Sequence, residues 1–488
     1  MSMSSALSNA LSGLNAATRS AELISDNVAN ALTPGYSRRT LDISAASVDG
    51  RGAGVSVTGV RLERDLVTIA ARRRNDAENA DANVHATTLA KFTAALGTPD
   101  QPGALATRAA DFEAALIAAS NDPASSTALS NLANRATQYG QALSQLSTET
   151  QRVRMDADAQ ISRQVGEVNT SLKSIEFLNR EIKVRTSVGG ETAALVAERQ
   201  QLIDRVSSIL PIKSVQRPGD EIALFTSNGG VLIDGPAAEL GFSQTSLITQ
   251  DMTLASGALS GLTLNDRPVT IGQGNGAGLL DGGSLSALFE VRDVTAPEFG
   301  GQIDALAEDL VLRFQDATID TSLLPGDAGL FTDGGAAYDP SDRLGLAGRL
   351  QLNAAVDPSQ GGEIWRLRDG LNAGAQGNAG SNTILTSLLN AATSDRLPAP
   401  GLGIDAAMGI SGFASELTSQ AATRQYQAED RMVYLSALGT TLNAAETSVS
   451  GVDTDAEMSR LLLVEQSYAA NARVVSVVDT LLQRLLEI

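Results

Sequence analysis

Two stretches at opposite ends of the chain carry the same apolar rhythm, and few folds can satisfy both. Leu461, Val464, Tyr468, Asn471, Val475, Val478, Leu482 and Leu485 follow one another at alternating spacings of three and four. Only Asn471 in that series is polar. Seven residues per two turns keep one stripe facing a partner helix, which is the pattern of a coiled coil rather than of a broad globular face. Thr454 and Glu457, three apart just before the run, predict a capping box that starts the helix. The seam is complete by Ile488, so its partner is expected from elsewhere in the chain.

The opening residues supply a candidate. Leu7, Ala10, Leu14, Ala17, Ala21, Ile24, Val28 and Ala31 repeat the three-and-four spacing with mostly small side chains. Small residues on one seam and large ones on the other let two helices approach closely. Neither helix is strong alone, because the first is rich in Ser, Asn and Thr and contains Gly13, which costs roughly 1 kcal/mol against Ala. Nucleation is unfavourable, so packing must supply most of the stability. Both ends are therefore expected to be loosely ordered in a free monomer and fixed on assembly. Asn471 either sets the register of the seam or bonds to its own backbone.

Composition removes several functions. The chain has no cysteine and one histidine, His85, so disulfides, thiolate chemistry and multi-histidine metal sites are excluded. A net charge of −20 and 3% aromatic residues offer neither a basic footprint nor stacking surfaces for nucleic acid. No apolar run approaches the ~18 residues of a membrane span. The first residues lack a basic stretch followed by an apolar block, so no Sec signal peptide is expected.

Along the chain, Asn30, Thr33, Pro34, Gly35, Tyr36 and Ser37 close the first helical pattern. Pro34 pushes Thr33 out of the helical region and Pro-Gly marks a turn, which by chemistry alone is an ordinary helix stop. Gly54–Val60 alternates as a strand. From Asn83 to about Leu210 the pattern is helical, broken at Asn121-Asp122-Pro123, after which Ser125 or Ser126 can cap. One seam (Leu129, Leu132, Ala136, Tyr139, Leu143, Leu146) and a second (Ile161, Val165, Val168, Leu172, Ile175, Leu178, Ile182) predict a rod of roughly 60 residues, about 90 Å long. A second helix is expected over Thr192–Ile209. After Pro211 come short alternating runs, Ile212–Val215, Glu221–Thr226 and Val231–Ile233, separated by hairpin-type turns. Strand-like pieces continue through Gly261–Leu264 and Pro268–Ile271. Helices return at Ser284–Phe299, Gly301–Ala317, Asn382–Ala392 and Phe413–Val449.

Asn30 to Tyr36, following a heptad helix, resembles the bacterial flagellar rod, hook and hook-associated axial protein family. Tyr468-Ala469-Ala470-Asn471-Ala472-Arg473-Val474 is similar to that family's C-terminal motif. Ser37-Arg38, the Asn169…Asn179 arrangement of the long helix, Val231–Gly235 and Arg292-Asp293 look most like its hook-associated, junction-forming members. In this chain Leu62 stands where the family tends to have Arg, Asp453 where it has Asn, and Glu465 where it has an aromatic residue.

Other motifs yield to simpler explanations. Gly272–Gly278 superficially suggests a dinucleotide loop but lacks the helix that must follow it. Asp453–Glu457 lacks the Gly and distal Glu of an EF-hand, so capping is expected there. His85 has no nucleophile motif nearby and is expected to be a packing or solvated residue. Arg72-Arg73-Arg74 is expected on a solvated face, or as a salt-bridging contact between acidic subunits.

The expected fold is mainly α with an inserted β domain. Residues 1–66 and 451–488 would form a terminal coiled-coil assembly domain, and 67–210, 284–320 and 371–450 an elongated helical bundle. Residues 211–283 would be the inserted β domain and 321–370 an irregular loop and strand segment. The resemblance implies a structural subunit between hook and filament, built by helical self-assembly of the terminal helices. The subunit would contact itself, hook protein below, and a second junction protein or the filament above. Further implications are export through the flagellar type III apparatus, an extracellular location, and a dedicated export chaperone on the C-terminal helix. No catalytic, cofactor-binding or metal residues are expected. The alternatives are another axial protein of hook or rod, or a secreted enzyme with activity in the inserted segment.

Overall fold

The computed structural model describes residues 3–33, 35–48, 51–271, 278–398, 400 and 402–486. The chain opens with α1 (Met3–Ala29), followed by a long antiparallel hairpin, β1 (Arg39–Val48) and β2 (Arg51–Leu62). The sequence expectation covered only part of β2 and passed over β1. Asp49-Gly50, themselves outside the described residues, are the dipeptide that favours such pairing. Bulges interrupt the register between Asp42 and Ile43 and between Ala45 and Ser47.

Helix α2 (Leu66–Leu96) starts at Asp65, whose side chain accepts from the Val67 amide. After α3 (Leu105–Asn121) comes α4 (Ser126–Ser187), an unbroken rod of 62 residues capped by Ser125. At 1.5 Å per residue it spans about 93 Å. Every residue of the two expected seams is buried on it. Helix α5 (Ala193–Ile209) folds back along its far end.

Two three-stranded sheets lie against α4. The first contains β3 (Ile212–Gln216), β4 (Ile222–Thr226) and β5 (Val231–Ile233); the second contains β6 (Leu240–Gly241), β7 (Leu262–Leu264) and β8 (Arg267–Val269). Asparagines of α4 dock them. The Asn179 side chain exchanges two hydrogen bonds with the backbone of Ile222, at 2.8 and 3.2 Å, and Asn169 does the same with Leu240 at 2.8 Å each. Each side chain thus imitates a neighbouring strand and satisfies backbone groups that a helix cannot otherwise pair. Leu224, Leu232, Leu240 and Leu262 join Leu172 and Ile175 in one apolar core.

Helix α6 (Gly283–Glu290) passes through one π turn, Val291–Thr295, into α7 (Ala296–Phe314). Two helices, Ser284–Phe299 and Gly301–Ala317, were expected here with a break at Gly300; Gly300 instead lies inside α7. Arg292, wholly buried at the π turn, pairs with Asp158 at 2.7 Å and Asp293 at 2.8 Å. Residues 321–370 contain β9 (Phe331–Asp333), α8 (Leu346–Arg349), β10 (Leu350–Leu352) and α9 (Arg366–Asp369), with one 3-10 turn before α8 and two between β10 and α9. β10 pairs with β9, and Phe331 stacks edge-on to Phe112. The chain returns through α10 (Thr383–Thr393) and α11 (Ile410–Ser450) to α12 (Thr454–Leu486).

The Arg72–Arg74 run departs from both expectations. Arg72 and Arg73 are buried within one chain. Arg72 bonds to Glu446 of α11 (2.5 Å), Asp76 (2.8 Å) and Asp204 of α5 (2.9 Å), and Arg73 to Asp204 (2.6 Å). Burial pulls Arg72 down, but Asp204 and Glu446 together outweigh it and leave it above the ordinary guanidinium value. Two adjacent arginines thereby join three helices, while Arg74 stays exposed.

His85 is mostly covered between α2 and Glu290 of α6, with Nε2 3.6 Å from Glu290 and 4.0 Å from Asp81. Burial and Arg431 lower its pKa; the Glu290 hydrogen bond and the Asp81 and Glu290 charges raise it and prevail. A raised folded-state pKa contributes stability that is full below the unfolded value of 6.5 and lost as pH rises through the folded value. The single imidazole resonance in a proton NMR titration should therefore move with a midpoint above 6.5. A midpoint at or below that value contradicts this arrangement.

Candidate assembly interface

Helices α1 and α12 run antiparallel and pack together within the single chain, with no neighbouring subunit present, whereas the sequence expectation had them fixed only on assembly. A Cβ placed on Gly13 would lie 2.6 Å from Asn471 Nδ2, and Asn27 Nδ2 donates to Glu457 Oε2 at 3.0 Å. Residues whose numbers sum to 484 therefore face each other. Gly13 is the close approach: without a side chain there, α1 leaves room for the Asn471 amide. Asn471 also donates to the Ser467 carbonyl at 3.0 Å, so the polar seam residue both bonds locally and fills the gap opposite Gly13.

The remaining seam residues divide into covered and uncovered positions. On α1, Ala10, Ala17 and Ile24 are buried and Leu7, Leu14, Ala21 and Val28 are half-buried. On α12, Val478 is buried and Leu461, Val464 and Val475 are half-buried, but Tyr468 and Leu482 are exposed. Leu482 comes level with the very start of α1, where cover thins. The Leu485 side chain lies outside the described residues.

The turn that joins α1 to the hairpin is organised by a residue the sequence did not single out. Asn27 is fully buried, and its amide makes all four of its bonds. Nδ2 donates to the Arg39 carbonyl (2.9 Å) and to Glu457; Oδ1 accepts from the Tyr36 hydroxyl (2.9 Å) and the Arg39 amide (3.0 Å). One side chain therefore ties together α1, the turn, β1 and α12. Around it, Asn30 Nδ2 donates to the Asp26 carbonyl, Thr33 Oγ1 donates to Asn30 Oδ1, and the Tyr36 amide donates to the Thr33 carbonyl. Gly35 takes φ +77°, a left-handed conformation that suits glycine. Pro34 lies outside the described residues, and Ser37 follows half-buried. Burial raises the Tyr36 pKa, Arg39 opposes it, and Asp26 and Glu457 add to the rise. The turn is fastened further where the Arg38 amide donates to the Ser450 carbonyl at 2.7 Å.

Helix α12 starts differently from the expected capping box. Asp453 is the cap: its Oδ1 accepts from the amides of Asp455 and Ala456 at 2.9 and 3.1 Å. Glu457 is drawn instead into the buried junction, where it holds Asn27 and pairs with Arg460 at 2.7 Å. Asp453 can do this because a carboxylate at the cap also suits the positive end of the helix dipole.

Pairing with α1 leaves a second apolar stripe on α12 bare. Leu463, Ala470, Val474, Val477 and Leu481 recur at coiled-coil spacing one residue behind the first seam, about 100° round the helix. Leu463, Val474, Val477 and Leu481 are 43–62% exposed. Beside them, α1, β1 and α12 enclose a groove of about 280 Å3 that includes Leu23, Leu41 and Leu463. Among the described residues no cluster of three His, Cys, Asp or Glu side chains is arranged to hold a metal, and no helix is long and apolar enough to cross a membrane.

Two family models match the chain. Residues 92–329 match the flagellar hook-associated protein FlgK helical domain, and residues 447–488 match the flagellar basal body rod FlgEFG protein C-terminal region. A flagellar hook-associated protein 1 of Bacillus subtilis is 24% identical over 511 aligned residues, which cover 98% of this chain and 97% of that protein. Over nearly its whole length the chain is similar to flagellar hook-associated protein 1. The hook-associated protein 1 of Escherichia coli is 28% identical over 250 residues, 48% of this chain and 44% of that one. A solved structure described as the flagellar hook junction protein FlgK from Burkholderia pseudomallei aligns with 19% identity and a TM-score of 0.41, over 55% of this chain and 47% of that one. The rod-type match at residues 447–488 takes in the last turn of α11 and the whole of α12.

Proposed function

We propose that the chain is a structural subunit of the bacterial flagellum that forms the junction between hook and filament. The observation that carries this is the apolar stripe of α12 left uncovered once α1 has taken the first seam. An exposed apolar face of this kind, interrupted by Ser467, marks a protein–protein contact. Subunits would associate head to tail through a heterologous contact that does not close on itself, and so propagate as a helical tube. Residues 1–66 with 451–488 would form the assembly end, and the helical bundle (67–210, 284–320, 371–450) the rod around it. Residues 211–283 and 321–370 would face outward. Hook protein would lie below, and a second junction protein or the filament above.

The likeness to hook-associated protein 1 is what supports export through the type III apparatus to an extracellular position. The exposed leucine- and valine-rich face of α12 would be the part that a dedicated chaperone covers before assembly. Catalysis has no part in this function. The rod-type character of residues 447–488 is what a hook or rod subunit would share, and location separates the two. Gold-labelled antibody against this chain should mark the boundary between hook and filament on purified flagella. Label along the hook, or at the rod, would overturn the assignment.

A further inference from the structure

The chain carries 56 acidic against 36 basic side chains, so a concavity whose charged residues are all cations stands out. One lies where α2, α5 and the first sheet meet beneath the hairpin. It measures about 500 Å3 and is bordered by Arg64, Arg73, Arg74, Arg199 and Lys213, with no Asp or Glu in its wall. Arg73 has a carboxylate partner in Asp204. Among the described residues, the other four have no carboxylate oxygen within 4.0 Å.

Two of these cations have donors to spare, and one of them is held in place. Arg199 is 1% exposed. Its Nη1 donates to Asn179 Oδ1 (2.8 Å) and to the Asp220 carbonyl (2.6 Å), which fixes the guanidinium plane. Its Nε has no partner, and neither does the buried Nη1 of Arg64. Burial lowers Arg199 to about 10, Asp220 opposing and Arg64 adding to the fall. Asp220 offsets part of this charge from a distance, but its carboxylate accepts from Gln216 at 3.1 Å and forms no ion pair with Arg64 or Arg199. A buried guanidinium with an idle donor is costly unless an acceptor arrives. Planar guanidinium donors match the oxygens of an oxyanion.

We infer that this cleft binds an oxyanion, a carboxylate or sulfate-type group, held by Arg64 and Arg199 with Arg74 and Lys213 at the mouth. The anion has two sources: a free inorganic ion, or a carboxylate from the acidic surface of a second copy.

Sodium sulfate titrated into the full-length monomer, with sodium chloride holding ionic strength constant, tests the site by calorimetry. One saturable sulfate per chain is expected. Arg74→Gln with Lys213→Gln, both at exposed positions, should weaken it by roughly tenfold or more without moving the thermal midpoint in chloride. Arg199→Lys, which removes Nε and the planar fork, should weaken it as well. Absence of sulfate heat beyond chloride, or unchanged binding in the double variant, overturns the inference. A second arm rests on the assembly function proposed above. If a neighbouring copy supplies the anion, saturating sulfate shortens assembled tubes and Arg74→Glu with Lys213→Glu prevents them. If the anion is free, tubes keep their length and retain one sulfate per subunit.

Discussion

Serine at Leu463, Val477 and Leu481 should abolish polymerisation and leave the monomer folded. All three side chains face solvent beside the α1–α12 seam, and surface substitutions away from packed features usually shift stability by about 0.5 kcal/mol or less. In a tube, the same side chains would be covered. Full burial of a Leu or Val is worth about 1.5–3 kcal/mol; Leu463, Val477 and Leu481 are already about half covered in the monomer, so removing all three weakens the subunit contact by about 2.5–5 kcal/mol. The critical concentration then rises roughly fiftyfold or more. Sedimentation of the variant across a concentration series measures it. Tubes forming at the parental concentration would show that this stripe is not the contact.

Replacing Asn27 by Ala should release α1 from the rest of the chain. The amide makes four bonds at a position closed to water, and its loss leaves Glu457 Oε2, the Tyr36 hydroxyl and both backbone groups of Arg39 without it, while Glu457 Oε1 keeps Arg460. Unsatisfied buried groups cost about 1–3 kcal/mol each; with partial relaxation toward water, a local loss of about 2–5 kcal/mol is expected. Asn27→Asp should be as damaging at neutral pH, since it sets two carboxylates against each other, and Glu457→Gln should restore much of that loss. Hydrogen exchange resolved over residues 3–29 is the readout, with protection falling in α1 and unchanged in α4. Parental protection of α1 in Asn27→Ala would refute the role given to this amide.

How far the sequence discloses this architecture depends on whether a feature is periodic or singular. The 62-residue helix could be read residue by residue, because a sustained apolar seam dictates which side is buried whatever packs on it. The strands β3 to β5 were equally legible, since Pro211, Pro218-Gly219 and Asn228-Gly229 punctuate them. β1 was not: Ser44, Ala45, Ala46 and Ser47 give it little alternation, and its existence depends on pairing with β2. Arg72 and Arg73 look like a solvated run because linear sequence cannot reveal that Asp204 and Glu446 converge on them from α5 and α11. Asn27 was hidden for a similar reason. In a helix it is merely a weak former, and its value comes from partners 9, 12 and 430 residues away. The Tyr36 that Asn27 holds lies within the recognisable family turn, so the motif pointed at the junction without naming its hub. Asp453 took the cap expected of Thr454 because Glu457, the other half of the expected box, has a stronger claim on it from Asn27 and Arg460.

The account depends on α1 and α12 of the same chain lying side by side in opposite directions. The absence of cysteine from the chain makes this directly measurable. A Cβ at position 13 would lie 2.9 Å from Asn471 Cγ, hence within about 4.4 Å of the position 471 Cβ, one C–C bond of about 1.5 Å further on. Disulfides need Cβ atoms roughly 3.5–4.5 Å apart. Monomeric Gly13→Cys/Asn471→Cys protein should therefore oxidise to an intramolecular 13–471 disulfide, found by mass spectrometry of the unreduced digest. Free thiols after oxidation, or linkage only between separate chains, would contradict the pairing on which the proposed assembly is built.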